Sequence, residues 1–260
     1  MSTPEAASIS IAAGRRIASA ARVACATASS YILGYSFTAI LVLVGIAASV
    51  VNARGFIRGG LVFWGNLLFW LVGRRLHVQG RDNRRVDTPY LVLANHASMY
   101  DIPALLAVAP DAALVGRDKL MRIPVFKRLL RAIRYIPIDT ESFRKAHDAI
   151  AEAVRTAGQG VSIGMFPEGT RTPTGEVQRL KRGFVSVLRA SGLDVLPVTI
   201  KGTFALKPKG RFTMDPRERI EAVVHPPIPN SVLAGMTDAE IMEKIRTTLE
   251  TGRGGEHGQE

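Results

Sequence analysis

The sequence predicts an α/β domain, its mostly parallel sheet flanked by helices, preceded by an N-terminal membrane-associated helical hairpin. Three observations predict it. From about residue 76, short β-like runs alternate with helical ones, the pattern of a parallel sheet with crossover helices. Ahead of that point, residues 31–53 carry no charge, and about 20 apolar-leaning residues suffice to cross a bilayer. A chain of 260 residues, 47% of them hydrophobic, suits one sizeable domain with an appendage.

Residues 1–30 form a basic, small-residue lead. Within it, residues 8–30, "SISIAAGRRIASAARVACATASS", read as a helix on a lipid surface, although Ser and Gly dilute the helix signal. Residues 31–75 hold the membrane-associated two-helix segment. Its second apolar stretch, Gly59 to Val72, is short for a crossing and holds Asn66, while Trp64 and Trp70 suit the interface. Arg54 and Arg58 separate the two stretches, Arg74 and Arg75 follow them, and Arg15, Arg16 and Arg22 precede them. Two full crossings would put Arg54 and Arg58 outside, against the positive-inside tendency. The expected arrangement is therefore a hairpin dipping into one leaflet. A spanning first helix with an interfacial second, or a hairpin buried in a soluble core, are the alternatives. The apolar run starts too late and runs too long for a cleaved signal peptide.

Residues 76–250 make up the α/β domain. The expected strands are Tyr90–Ala94, Ala113–Val115, Tyr135–Ile138, Val161–Phe166, Val195–Ile200 and Ile220–Val224. The expected helices are Ile102–Ala109, Lys119–Ile133, Ser142–Ala157, Arg182–Ala190 and Asp238–Leu249. The tail 251–260, "TGRGGEHGQE", is expected to be disordered.

The 34 Lys and Arg against 22 Asp and Glu give a net charge of +12, which favours an anionic partner. Aromatic residues are only 7% and do not interleave with the basic ones, so a membrane is favoured and nucleic acid is not expected. The single cysteine, Cys25, forbids an intrachain disulfide and reads as packing among small apolar residues. No Cys/His cluster has zinc-site spacing, so no metal is expected. No GxxxxGK[ST] arrangement is present to suggest phosphoryl transfer.

Three strands end in chemically capable loops: Tyr90–Ala94 enters Asn95-His96, Val161–Phe166 enters "PEGTRT", and Tyr135–Ile138 enters Asp139-Thr140-Glu141. These loops converge if the strands are parallel neighbours. His96 and Asp101 would sit about 140° apart on one continuous helix, so they meet only if the chain bends between them. A strand-to-helix turn does that, with Ser98 as a plausible N-cap and Pro103 in the first turn. Asp101 can then orient one imidazole nitrogen while the other takes a proton from a hydroxyl; alone, such a pair is more often structural. In "FPEGTRT", Gly169 allows close backbone approach, Arg171 offers a fork suited to phosphate, and Glu168 can orient Arg171 or bind a substrate hydroxyl. The alternative is an ordinary turn with a surface ion pair. Lys181 and Arg182 open a helix, where anions are favoured, or else form a solvated basic face.

Together these residues resemble the glycerolipid acyltransferases. Asn95-His96 through Asp101 looks like their NHxxxxD motif, and Phe166 to Thr172 like their FPEGTRS motif. "RYIPIDT", Arg134 to Thr140, resembles the second block, and "VLPVTI", Val195 to Ile200, the proline-bearing fourth. The nearest group is the PlsC-like 1-acyl-sn-glycerol-3-phosphate acyltransferases, and the likeness covers about residues 76–226. It implies acyl transfer from acyl-CoA or acyl-carrier protein to the sn-2 hydroxyl of lysophosphatidic acid, giving phosphatidic acid. His96 would be the general base, Asp101 its orienting group, and no acyl-enzyme, metal or bound cofactor would be needed. Asn95, Arg117, Glu168, Gly169, Thr170, Arg171 and Lys181 would contact substrate, with Arg171 near the phosphate. The site would lie at the cytoplasmic face of a membrane, a bacterial inner membrane, among lysophospholipid acceptors. Thr140 replaces the arginine usual after Asp139, and Arg144 or Arg134 are its candidate substitutes. Thr172 replaces the commoner serine, and Ser98 is not the nucleophile. The same chemistry on another lysolipid, such as lyso-ornithine lipid, and a catalytically dead lipid-binding protein are the competing readings.

Overall fold

The computed structural model describes residues 4–51, 53–122, 124–139 and 142–253. Seven strands form one sheet: β1 Leu76–Gln79, β2 Tyr90–Ala94, β3 Ala113–Arg117, β4 Ile136–Ile138, β5 Ile163–Met165, β6 Asp194–Lys201 and β7 Ile220–Val224. Their spatial order is β1-β7-β6-β2-β5-β3-β4. Every neighbouring pair is parallel except β6 with β7. The sheet is thus mostly parallel, as the alternating pattern predicts. Strand β2, "YLVLA", is buried along its whole length, as a strand covered on both faces must be. Tyr90, Val92 and Ala94 face one layer with Leu105 and Phe69, while Leu91 and Leu93 face the other with Ile163 and Phe184.

Helices α3 (Arg54–Leu71) and α4 (Asp101–Val108) cover the first face. Helices α6 (Phe143–Ala157), α7 (Gly183–Ser191) and α10 (Asp238–Thr251) cover the second. The expected helices are present with shifted ends. Ser142 caps α6 by accepting from the Lys145 amide, and Thr237 with Glu240 forms a capping box on α10. The helix expected over Lys119–Ile133 is instead a 3-10 turn, Asp118–Arg122, followed by α5, Pro124–Ala132. Proline disfavours helix in the residue before it and suits the first helical position, so Pro124 restarts the helix. Four described elements have no counterpart among the sequence expectations, one of them a 3-10 turn at Arg81–Asn83. β1 is a four-residue edge strand carrying His77 and Gln79, and α8 (Thr203–Leu206) and α9 (Asn230–Ala234) are single short turns.

The N-terminal region is one long rod and a return helix. Helix α1, Pro4–Ser29, runs through a π turn at Ser30–Gly34 into α2, Tyr35–Val50. The lead is therefore continuous with the apolar helix rather than separate from it. Residues Arg16–Val50 are long and apolar enough to cross a membrane, and only 17% of the most apolar window is buried. Ile32, Leu33, Ile40, Leu43 and Val50 face outward, which disfavours the reading of a hairpin buried in a soluble core. Cys25 is exposed, not packed as expected, because its side of α1 faces away from the domain. The rod is nonetheless anchored. The Ser29 hydroxyl donates to the Leu71 carbonyl, Trp64 donates to Thr38, and Tyr31 stacks on Phe212 at 4.6 Å. Thr140 and residues 254–260 lie outside the described residues. Residues 251–253, expected in the disordered tail, are placed: Thr251 ends α10 and Arg253 donates to the Gly175 carbonyl.

Two tests follow from this packing. Gly65 lies where α3 crosses α4, and an added Cβ would stand 2.7 Å from the Pro103 carbonyl oxygen. Gly65→Ala is expected to separate the two helices at a cost of about 1–3 kcal/mol, read as a lowered Tm in detergent. His225 closes β7 onto Thr199, 2.8 Å away, and Thr199 donates on to the Leu249 carbonyl. Burial, and then the Lys201 charge, hold the His225 pKa below the usual histidine value. The neutral ring therefore stabilises the fold above the unfolded pKa of about 6.5, and that contribution is lost as pH falls below it. Stability should decline from pH 7 toward pH 5.5, and the decline should be shallower in His225→Gln.

Candidate active site

β2 and β5 are adjacent and parallel, so their C-terminal ends deliver Asn95-His96 and the Phe166–Thr172 loop side by side. Two of the three loops expected to converge do so. The third leaves β4 at the far edge of the sheet, with β3 intervening, and its Asp139 pairs with Lys145 at 3.0 Å.

The chain bends between His96 and Asp101 as their meeting requires. Asp101 opens α4 and is fully buried. Its Oδ2 accepts from the Ala97 and Ser98 amides, both at 2.6 Å, and stands 2.9 Å from His96 Nδ1. Its Oδ1 accepts from the Thr203 hydroxyl at 2.6 Å. An oxygen already accepting two N–H groups leaves Nδ1 to donate, so Nδ1 carries a hydrogen, and in the neutral ring Nε2 is the nitrogen that presents a lone pair. Among the described residues nothing bonds Nε2, and the His96 side chain retains 15% exposure. The ring lies 4.2 Å from that of Phe166, nearly parallel to it. Stacking fixes one face and Asp101 fixes the tilt.

The third motif also holds the His96 backbone. Glu168 Oε1 accepts the His96 amide at 2.6 Å, and the Thr172 amide donates to the His96 carbonyl at 2.8 Å. Glu168 Oε2 accepts from the Gln178 backbone and side-chain nitrogens at 3.0 and 3.2 Å. The Glu168 carboxyl is 2% exposed, so it clamps two loops together; the expectation that it meets Arg171 or a substrate hydroxyl is corrected on this ground. Burial pushes its pKa up, opposed by the N–H groups of Gln178 and His96.

Asn95 also departs from the expectation of substrate contact. It is 1% exposed, its Nδ2 donates to the Ile200 carbonyl at 2.9 Å, and its Oδ1 accepts the Ile200 amide at 2.7 Å. The side chain thus extends the β2–β6 pairing by one rung. Ser98 is not the N-cap, a position that falls to Tyr100; its buried hydroxyl donates to the Lys207 carbonyl at 2.7 Å. Burial raises the neighbouring Tyr100 phenol to about 12, opposed by its Ser30 hydrogen bond, and its single hydrogen has the Ser30 hydroxyl and the Met214 sulfur as alternative acceptors.

Gly169 has φ +70°, and a Cβ there would meet the Lys181 stem at 2.9 Å. Lys181 therefore lies over the third-motif loop. Thr170 is half-buried, its carbonyl held by Gln178 at 3.1 Å. Arg171 makes no ion pair among the described residues. Arg117, at the C-terminal end of β3, is exposed one strand beyond β5. Arg182 is spent on Asp238 at 2.6 Å, not on the site. Arg134, with φ +56°, precedes β4, at the strand end opposite the site, so it cannot replace the arginine missing at Thr140. Arg144, exposed in the first turn of α6, remains on the C-terminal side. Thr203 and Gln178 escape sequence reasoning, since each lies outside the motifs it supports. The only signal for Thr203 is its place just past β6, the strand beside β2.

A family model described as Acyltransferase matches residues 75–201. The chain is 35% identical over 115 residues to the 1-acyl-sn-glycerol-3-phosphate acyltransferase of Escherichia coli, covering 44% of this chain and 47% of that protein. It is 32% identical over 167 residues to that of Limnanthes alba, covering 64% and 57%. It is 26% identical over 175 residues to chloroplastic LPAT1 of Arabidopsis thaliana, covering 66% and 49%. The chain spans about half the length of the curated relatives it matches. The crystal structure of the 1-acyl-sn-glycerophosphate acyltransferase PlsC from Thermotoga maritima superposes with a TM-score of 0.76 at 27% identity, covering 89% of this chain and 94% of that one. Residues 75–201 thus resemble the acyltransferase family, and the fold is PlsC-like.

Loss of the Thr203 hydroxyl leaves a buried carboxylate oxygen unpaired. Thr203→Val is expected to cost about 1–3 kcal/mol of stability, measured by denaturant unfolding in detergent, and to lower turnover roughly ten-fold by loosening Asp101.

Proposed function

We propose that this protein transfers an acyl group from a water-borne thioester, acyl-CoA or acyl-carrier protein, to the sn-2 hydroxyl of lysophosphatidic acid, giving phosphatidic acid. The observation that carries the reading is the Asp101–His96 pair with Nε2 left open. A hydroxyl is a weak nucleophile at neutral pH and needs a base. Nε2 takes the hydroxyl proton as the oxygen attacks the thioester carbonyl, forming the C–O bond. The C–S bond then breaks, and the leaving thiolate takes the proton from the imidazolium. Asp101 stabilises that imidazolium throughout and is itself held by three other donors. The relatives named for lysophosphatidate acylation support the choice of acceptor. The reaction as proposed draws on no group beyond the thioester and the side chains.

A lipid acceptor requires the site to reach a bilayer. The outward-facing apolar rod and the +12 charge suit an anionic lipid surface. A water-borne donor then puts the open side of the site toward the cytoplasm.

His96→Ala is expected to lower transfer by about 10²–10⁴-fold while membrane association stays as it is; retained turnover would defeat the mechanism. The acceptor is tested with labelled acyl-CoA and acyl-carrier protein against lysophosphatidate, lyso-ornithine lipid and other lysolipids. Transfer to another lysolipid without transfer to lysophosphatidate would move the reading to that acceptor.

A further inference from the structure

The segment after β6 packs against the reaction site from outside the family motifs. Thr203 holds Asp101, Ser98 donates to the Lys207 carbonyl, and Ser98 bridges Pro208 across a short antiparallel contact. Phe204 packs on Gly175, at the end of the third-motif loop. The Lys207 main chain is thus tied to the first motif, and the residue is only 8% exposed. Its ammonium donates to the Arg211 carbonyl, which leaves two of its three N–H donors without a protein acceptor among the described residues. Burial first, then the charges of Arg171 and Arg211, hold its pKa below the usual lysine value.

Neither Lys207 nor Arg171 makes an ion pair among the described residues. Asp215, the acid on the same segment, is engaged by Arg217 at 2.7 Å. Arg211 is spent within its loop, donating to the carbonyls of Ala205, Leu206 and Thr213. Lys207 and Arg171 lie close enough for one charge to act on the other, and among the described residues no ion pair neutralises either, an arrangement that suits an anion.

We propose that Lys207 is a specificity-determining residue that, together with Arg171, receives the phosphate of the acyl acceptor. The proposal rests on the reading that the acceptor is a phosphorylated lysolipid, and names a residue for its headgroup beyond the family motifs.

The test is equilibrium binding to the full chain in detergent micelles, with lysophosphatidate and uncharged monoacylglycerol as probes and acyl-CoA as a third arm. Lys207→Gln keeps a donor for the Arg211 carbonyl and removes the charge; Lys207→Arg keeps the charge; Lys207→Met serves if the glutamine variant does not fold. Removing one charged hydrogen bond to phosphate should weaken lysophosphatidate binding about ten-fold or more in Lys207→Gln. Monoacylglycerol and acyl-CoA should bind as before, and Lys207→Arg should bind lysophosphatidate nearly as the parent does. Equal lysophosphatidate binding by the parent and Lys207→Gln would overturn the proposal, as would a loss confined to acyl-CoA, which would assign Lys207 to the donor's phosphates. A parent chain with no preference for lysophosphatidate over monoacylglycerol would instead overturn the reading of the acceptor on which the proposal stands.

Discussion

The buried carboxylate of Asp101 is the constraint around which the rest of the structure is arranged. An ionised group removed from water is costly unless its lone pairs are filled. Here two backbone amides, an imidazole and a threonine hydroxyl fill them. The amides are available only because the chain turns sharply after β2 and starts a helix at Asp101 itself. The hydroxyl is available only because β6 lies beside β2 and ends in the short turn that carries Thr203. A single side chain therefore ties together strand order, loop shape and base orientation.

Glu168 does for the neighbouring loop what Asp101 does for the His96 ring. It joins the first motif to Gln178, ten residues beyond the glutamate, and its partners are mostly backbone. Phe166 completes the enclosure by lying against the imidazole. The His96 ring is thus gripped by main chain, carboxylate and aromatic face while one nitrogen is left open. Such a site is rigid where orientation matters and free where a proton must move.

Much of this was legible in the sequence. Alternating strands and helices gave the sheet, and the five-residue gap between His96 and Asp101 demanded a bend. What spacing could not reveal was which polar side chains the fold keeps for itself. Asn95 and Glu168 sit in motif positions that suggest substrate contact, yet both are consumed by backbone groups that only the folded strand order brings near. Arg134 looked equivalent to Arg144 until the direction of β4 put it at the wrong end of the sheet. Thr203 acts on a carboxylate about a hundred positions earlier, a distance no local pattern bridges. The edge strand β1 escaped because four residues with alternating polarity carry too little signal.

The exposed thiol of Cys25 gives the molecule a built-in address. It is the sole cysteine in the chain and sits on the outer side of the rod that continues into the apolar helix. A maleimide dye or nitroxide reacting with it would label one position without any engineered residue. From that vantage, quenching by depth-graded lipids would report whether and how far the rod enters a bilayer, a ruler already installed ahead of the apolar helix.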